Sequence, residues 1–165
     1  MYKRQSLADA AGKIHAFADP DSTSGYAVPY FNFLTKEGFK PEEYFAAVPF
    51  SGSHEAGVSG VVNGTFDTAS TYQNNDLDGI YQRMESKGMI EAGLICQIWE
   101  SPEITSGPWT VRSNLPAELI SDLSNALEAF PTEDPEGYAL FSSFEPTDPN
   151  PEVGYTRVDR DRYQW

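Results

Sequence analysis

The chain has 165 residues, and its 11 Lys and Arg against 25 Asp and Glu give a formal net charge of −14. Such acidity argues against general nucleic-acid binding, which needs a basic face, and against docking on an anionic membrane surface. An anionic ligand is not excluded, because a helix N-terminus attracts anions locally and bulk charge is screened within roughly 10 Å at ordinary salt.

The single cysteine and the N-terminus limit the chain further. Cys96 stands in an apolar run, so it is predicted to be a buried, inert thiol, and no intrachain disulfide can form. No apolar stretch approaches the ~20 residues of a membrane span. Residues 1–6 carry positive charge without an apolar segment behind them, so no signal peptide is predicted there.

The first half of the chain alternates short apolar runs with helical patterns. Residues 13–18 predict a buried strand, which runs through a polar turn into a helix over 26–36 that Gly38 closes. An extended run at 46–50, a helix at 55–63, a strand at 66–71 and a helix at about 76–87 follow. The aromatic residues among these elements are predicted to be core side chains: Phe31, Phe33, Tyr44, Phe45 and Phe50.

The second half is less regular. A fourth strand is predicted within 90–99, a brief strand at 109–112, and an amphipathic helix at 117–130 that begins after Pro116. The prolines between residues 131 and 151 predict that residues 131–154 are mostly loop. Since strands and helices alternate at least four times, the sequence predicts an α/β fold with a mostly parallel sheet and flanking helices.

Three predicted strand ends are followed by small polar side chains. Because the carboxyl ends of neighbouring parallel strands lie at one edge of a sheet, these turns are expected to converge. Hydroxyl groups beside the unpaired N–H groups of a helix N-terminus suit a tetrahedral oxyanion. The candidate ligand-binding residues are Ser22, Thr23 and Ser24, then Ser53 and His54, then Tyr72, Gln73 and Asn74.

Other interpretations stand beside this one. Ser22 to Ser24 could also form an ordinary helix N-cap that binds no ligand. A hydrolase that uses Ser24 or Ser53 with His54 is an alternative, although adjacent side chains tend to point apart and no orienting acid is placed by a motif. A ligand-sensing domain or an orphan interaction domain of the same fold is another. The acids show no metal-ligand spacing, so neither a metal nor another cofactor is predicted.

The residues of about 10–145 resemble the substrate-binding proteins of phosphate, phosphite and phosphonate ABC transporters. The resemblance rests on an ordered series of motifs: Phe17-Ala18-Asp19-Pro20-Asp21-Ser22-Thr23-Ser24-Gly25-Tyr26, Phe50-Ser51-Gly52-Ser53-His54, Val62-Asn63-Gly64 with Asp67, Ile98-Trp99-Glu100-Ser101-Pro102-Glu103-Ile104, Pro108-Trp109-Thr110-Val111-Arg112 and Leu115-Pro116. It implies a type II periplasmic-binding-protein fold of two α/β lobes. It also implies a binding function without chemistry of its own, and a periplasmic or extracytoplasmic location beside a transporter permease.

In such proteins the Ser-Thr-Ser turn and the histidine after the Ser-Gly turn hold the phosphonate oxygens. By position these roles fall on Ser22, Thr23, Ser24 and His54. Members that bind aminoalkyl phosphonates surround the ammonium group with carboxylates. At the two corresponding positions this chain has Tyr72 to Asn74 and Gly107, none of which is a carboxylate. Asp76 is the nearest acid. Phosphite, methylphosphonate or phosphate is therefore the expected ligand, because an unpaired buried ammonium group is costly.

The resemblance also predicts a domain organisation. Residues 1–100 would form the second ligand-binding lobe, 101–145 the hinge and the return to the first lobe, and 146–165 an irregular tail. The family pattern begins well before this sequence does, so a fragment, a truncated product or half of a split protein is expected. A first-lobe segment is then a further expected partner.

Overall fold

The computed structural model describes residues 6–75, 78–105, 109–142, 154–155 and 157–158. The chain divides into two compact units, Met1–Ile104 and Thr105–Trp165. Asp76, Gly107, Pro108 and most of the predicted tail at 146–165 lie outside the described residues. No helix within the described ranges is both long and apolar enough to cross a membrane.

A small parallel sheet organises the first unit. Its central strand β1, His15–Ala16, pairs in parallel with β2, Thr68–Ala69. On the other side, parallel bridges join Ile14 to Ala47 and Phe17 to Phe50. The strands therefore lie in the order 47–50, 14–17, 68–69, and all three end at the same edge. This arrangement confirms the predicted α/β fold with a mostly parallel sheet.

One continuous helix follows β1. It begins with a π-helical turn at Thr23–Ala27, continues as α1 at Val28–Asn32, and ends with a π-helical turn at Phe33–Glu37. Gly38 ends it in the left-handed conformation at φ 76°, as predicted. The short helix α2, Pro41–Tyr44, comes next. Phe17, Phe33, Phe45 and Ala10 of the 3₁₀ turn Leu7–Ala10 form the main apolar cluster.

A second apolar cluster lies under the helices that follow the other strands. The cluster joins Val58 of α3, His54–Val62, to Ile80 and Met84 of α4, Ile80–Ser86. Between β2 and α4 the chain forms an antiparallel hairpin of β3, Gln73–Asn75, and β4, Asp78–Gly79.

The hairpin corrects the predicted third helix, which begins at Ile80 rather than at about 76. Asn75 accepts a hydrogen bond through its side-chain oxygen from the Asp78 N–H at 3.0 Å. Asn and Asp side chains offer the backbone such local partners in place of helical ones, so Gln73–Asn75 pairs as a strand and does not begin the helix. The strand at 90–99 is also wrong, because described residues 91–100 form turns and irregular chain, and Gly93 adopts φ 80°.

Apolar side chains of that segment pack without strand pairing. Ile95 contacts the second cluster, whereas Ile98 and Trp99 contact the main one. The Cys96 side chain is exposed, so the prediction of a buried thiol is wrong. Among the predicted core aromatics, Phe33 and Phe45 are buried, but Phe50 is 43% exposed at the end of its strand.

The second unit is helical. Helix α5 spans Ala117–Glu133 and continues past Pro131, and α6 spans Pro135–Ser142, where a loop was predicted. Proline removes only one hydrogen bond near the end of α5. The Asp134 side chain accepts the Gly137 N–H at 2.9 Å, which caps α6. Residues 109–112 form no strand; Trp109 stacks on Phe141 instead.

Candidate functional site

Three polar turns follow the strands: the first holds Ser22 to Ser24, the second Ser53 and His54, and the third Tyr72 to Asn74. Backbone hydrogen bonds at the sheet edge join the first strand to the start of the second turn. The Ser51 N–H donates to the Phe17 carbonyl at 2.8 Å, and the Gly52 N–H donates to the Ala18 carbonyl at 2.8 Å. Gly52 has φ 90°, a conformation that favours glycine. The chain can thereby turn sharply from its strand into α3.

Ser22 opens the helix of 23–37. Its Oγ accepts the Gly25 N–H at 3.0 Å, which is an N-cap bond. Thr23 and Ser24 occupy the first two helical positions, and helix geometry leaves the N–H groups there without an intrahelical acceptor. Thr23 is exposed and Ser24 is half-buried. Two N–H groups and two hydroxyl groups are therefore available at this terminus.

Gly25 is buried where the helix passes the sheet. A Cβ atom at this position would collide with the Cβ of Ala18 and would lie 2.9 Å from Cε1 of His54. Only a residue without a side chain allows the first turn, the end of β1 and His54 to approach this closely.

Ser53 is the N-cap of α3, and its Oγ accepts the Ala56 N–H at 3.1 Å. The Ser51 hydroxyl donates to the Ser53 carbonyl at 2.8 Å, which fixes the turn ahead of the helix. His54 is the first residue of α3, so its side chain starts from a rigid element beside the first turn.

His54 joins all three turns. Its Nε2 lies 3.4 Å from the Ser22 Oγ, its Nδ1 lies 3.2 Å from the Thr71 Oγ1, and its ring meets the Tyr72 ring edge-on at 5.1 Å. Partial burial lowers the pKa of His54 below its usual value, while the Glu55 charge opposes that shift. The imidazole is therefore neutral near pH 7 and carries a single N–H donor.

The polar side chains of the third turn form hydrogen bonds within the hairpin. Gln73 donates from Nε2 to the Asn75 carbonyl at 2.9 Å, and Asn74 donates from Nδ2 to Asp78 Oδ2 at 2.7 Å. The structure thus brings Ser22, His54 and Tyr72 together, and it places Thr23, Ser24 and Ser53 beside them at helix starts. Gln73 and Asn74 bond within the hairpin.

Sequence reasoning missed three residues here. Thr71 contacts Nδ1 of His54 through its hydroxyl group. Its position at the end of the strand predicted at 66–71 could have identified it as a site residue. Asp78 and Arg83 form an ion pair with Nε to Oδ1 at 2.6 Å and Nη2 to Oδ2 at 2.7 Å, and Arg83 also donates to the Tyr72 hydroxyl at 3.2 Å. This arginine hydrogen bond lowers the pKa of Asp78.

The hydrolase alternative finds different partners from those expected. His54 pairs with Ser22, and the group on its Nδ1 is the Thr71 hydroxyl, which cannot stabilise an imidazolium as a carboxylate does. Within the described ranges, no group of three or more His, Cys, Asp or Glu side chains is placed to hold a metal ion.

Comparison with known proteins assigns the chain to a family. Residues 3–163 match the family described as ABC transporter, phosphonate, periplasmic substrate-binding protein. The phosphate-import protein PhnD of Mycolicibacterium smegmatis is 28% identical over 122 residues, which are 71% of this chain and 37% of PhnD.

A crystal structure of a binding-protein component of the ABC phosphonate transporter from Pseudomonas aeruginosa is 26% identical, with a TM-score of 0.51. That match covers 86% of this chain and 46% of the other, so this chain spans less than half the length of both relatives. The family is one of transporter components rather than of enzymes. The chain therefore belongs to the periplasmic substrate-binding proteins of phosphonate ABC transporters.

Proposed function

We propose that this chain is a ligand-binding lobe of an ABC importer and that it binds a small phosphorus oxyanion at the edge of its sheet. The observation that carries the proposal is His54, which links Ser22 on the first turn to Thr71 on the third while it begins α3 itself. Hydroxyl, imidazole and N–H groups from the two helix starts thereby lie near one another, and such donors suit a tetrahedral oxyanion.

The proposed ligand contacts come from two helix N-termini. Ser22, Thr23 and Ser24 would supply hydroxyl and N–H groups from the helix of 23–37, and Ser53 and His54 would do so from α3. Both termini carry the positive end of a helix dipole, so the ligand charge is met without a cationic side chain. Tyr72, Gln73 and Asn74 would border the ligand from the third turn.

The third turn supports a ligand without an amine. The described carboxylate of this turn, Asp78, is already held by Arg83 and Asn74. An ammonium group placed here would find a neutralised ion pair rather than a free carboxylate, and its desolvation would be uncompensated. We therefore propose phosphite, methylphosphonate or phosphate ahead of an aminoalkyl phosphonate.

The proposal also assigns a role to each part of the chain. Residues 1–100 act as the second ligand-binding lobe, 101–145 as the hinge and return segment, and 146–165 as a tail. A first-lobe segment completes the site from the other side, and an importer permease receives the ligand. The location proposed is periplasmic or extracytoplasmic.

Calorimetric titration of the purified chain tests the proposal. Phosphite, methylphosphonate, phosphate and 2-aminoethylphosphonate are titrated into the wild type and into Ser22→Ala and His54→Ala. Because a hydrogen bond to a charged group contributes about 1.5–3 kcal/mol, each variant is expected to weaken binding by roughly tenfold to a hundredfold.

Thr35→Ala is the matched control, since Thr35 lies at the far end of the same helix and its hydroxyl bonds the Phe31 carbonyl. It is expected to bind as the wild type does. A folded chain that binds none of the four compounds, or a His54→Ala variant with undiminished affinity, would contradict the proposal.

A further inference from the structure

Gln82 of α4 has a buried amide group that nothing in the described structure satisfies. Both Nε2 and Oε1 are inaccessible to solvent, and neither has a hydrogen-bond partner among the described residues. Leaving a buried donor or acceptor unpaired costs about 1–3 kcal/mol. Such a group in a native structure calls for an explanation, and a functional partner or a bound water is among those that apply.

The amide lies against the hairpin of the candidate site. A Cβ atom on Gly79 would lie 2.5 Å from Gln82 Oε1, 3.0 Å from the Tyr72 carbonyl oxygen and 3.1 Å from Cα of Gln73. Gly79 has φ −167°, an extended conformation that any residue can adopt. Glycine is therefore needed here for the space that Gln82 and the hairpin backbone occupy, not for its backbone conformation. Tyr72, at the start of this hairpin, contacts His54.

The neighbouring polar groups are already paired. The Tyr72 carbonyl accepts the Ile80 N–H, Gln73 donates to the Asn75 carbonyl, and Asp78 is held by Arg83. Gln82 could bond one of them only if an existing hydrogen bond were broken or shared. The described neighbours therefore leave the Gln82 amide without a hydrogen bond.

We propose that Gln82 binds the ligand, through a neutral polar substituent such as a hydroxyl on the carbon attached to phosphorus. The proposal rests on the oxyanion site proposed above. An amide donates and accepts at once, which matches a hydroxyl and offers no charge to an ammonium group. For this contact the three rotatable bonds of glutamine must turn the amide from beneath the hairpin toward a ligand beside Tyr72.

The energetics favour this use of the residue. In the ligand-free chain the amide has already lost its hydrogen bonds to water, so a bond formed with the ligand is not offset by desolvation of the protein. Substitution by methionine, which has a similar length and no amide, should therefore stabilise the free protein while it weakens the bound state. A residue that serves packing alone would not produce these opposite effects.

Titration with a matched pair of ligands tests the proposal. Hydroxymethylphosphonate and methylphosphonate differ mainly by the hydroxyl group. Gln82→Met is expected to weaken hydroxymethylphosphonate binding about tenfold, the effect of one lost hydrogen bond, to leave methylphosphonate binding within about twofold, and to raise the melting temperature of the free protein. Gln97→Met is the control, because Gln97 is exposed and bonds Glu100.

The outcomes separate the two proposals. Equal effects of Gln82→Met on both ligands, or no effect on either, would overturn the role of Gln82 while the oxyanion site stood. A wild type that binds neither compound nor inorganic phosphate would overturn the oxyanion site and this role with it. A melting temperature lowered by Gln82→Met would show that the amide is satisfied in the free protein and would also overturn the role.

Discussion

The two histidines of the chain have different environments and different tasks. His15 is buried in the sheet, where Nδ1 lies 2.8 Å from Thr68 Oγ1 and Nε2 lies 3.0 Å from Ser70 Oγ. Its ring stacks on Phe45 at 4.6 Å. His15 thus ties β1 to β2 and to Ser70, just ahead of Thr71, so it supports the third turn from inside the sheet.

Burial makes His15 a source of pH-dependent stability. Desolvation lowers the pKa of His15 from 6.5 to about 4. Between these values the unfolded chain binds a proton that the folded chain does not, so stability falls as the pH falls from about 6.5 to about 4. The shift corresponds to a loss of about 2 kcal/mol between pH 7.5 and pH 5.

Urea denaturation at several pH values measures this slope. His15→Gln is expected to lower stability overall and to remove most of the loss between pH 7.5 and pH 5. His54→Gln is the matched control; it should keep most of that loss, because His54 is only half-buried. An unchanged slope in His15→Gln would show that other groups cause the pH dependence.

At the residue scale, sequence reasoning finds what local chemistry marks. Ser22 lies in the run predicted to cap a helix, and Ser53 and His54 lie in a polar turn predicted just before the next helix. Thr71 and Arg83 could not be found in this way, because their contacts with His54 and Tyr72 depend on how separate elements pack. Cys96 and Phe50 are exposed because an apolar neighbourhood in the sequence does not determine which side chains the fold covers.

Among the elements, the hairpin between β2 and α4 is joined to α4 by an ion pair. Arg83 holds Asp78 through two hydrogen bonds and reaches the Tyr72 hydroxyl with a third. Arg83 is 48% exposed and Asp78 21%, so solvent screens part of their attraction. Because Arg83 lowers the pKa of Asp78, the contribution is complete above pH 3.8 and is lost as the carboxylate becomes protonated below it.

Arg83→Gln should therefore destabilise the first unit by about 0.5–1 kcal/mol at pH 7. It should also raise the affinity for 2-aminoethylphosphonate relative to methylphosphonate, because the Asp78 charge is no longer neutralised. Denaturation and titration of the same preparation measure both effects. Lys40→Gln breaks the exposed pair of Lys40 with Glu43 at 3.9 Å and should change neither quantity; equal effects of the two substitutions would contradict this role of Arg83.

The elements that sequence predicted well are those whose ends are marked locally. The helix of 23–37 has a serine cap and a glycine stop, and α3 has the same pattern with Ser53. The strand expected within 90–99 does not form because an apolar run alone does not select strand pairing over packing. Its Ile95 and Ile98 contact the two apolar clusters without forming a ladder.

At the scale of the whole molecule, buried apolar surface is unevenly distributed. Both apolar clusters belong to the first unit, where Phe17, Phe33 and Val58 are almost wholly buried. In the second unit the 17-residue helix α5 has no buried residue, and Leu119 and Leu123 on its apolar face are 43% and 42% exposed. Sequence alone predicted this amphipathic face but could not show whether another element covers it.

Burial rather than helix length should therefore determine hydrogen-exchange protection. Helices gain most of their stability from packing, so an unpacked helix opens readily whatever its length. The central strand at 14–17 is expected to exchange slowest, and the nine-residue α3, with Gly57 and Val58 buried, should be more protected than the longer α5. Peptide-resolved mass spectrometry in deuterated water measures all three segments in one sample. If α5 exchanged as slowly as α3, its apolar face would have to be covered in solution, and the low stability inferred from its exposure would be wrong.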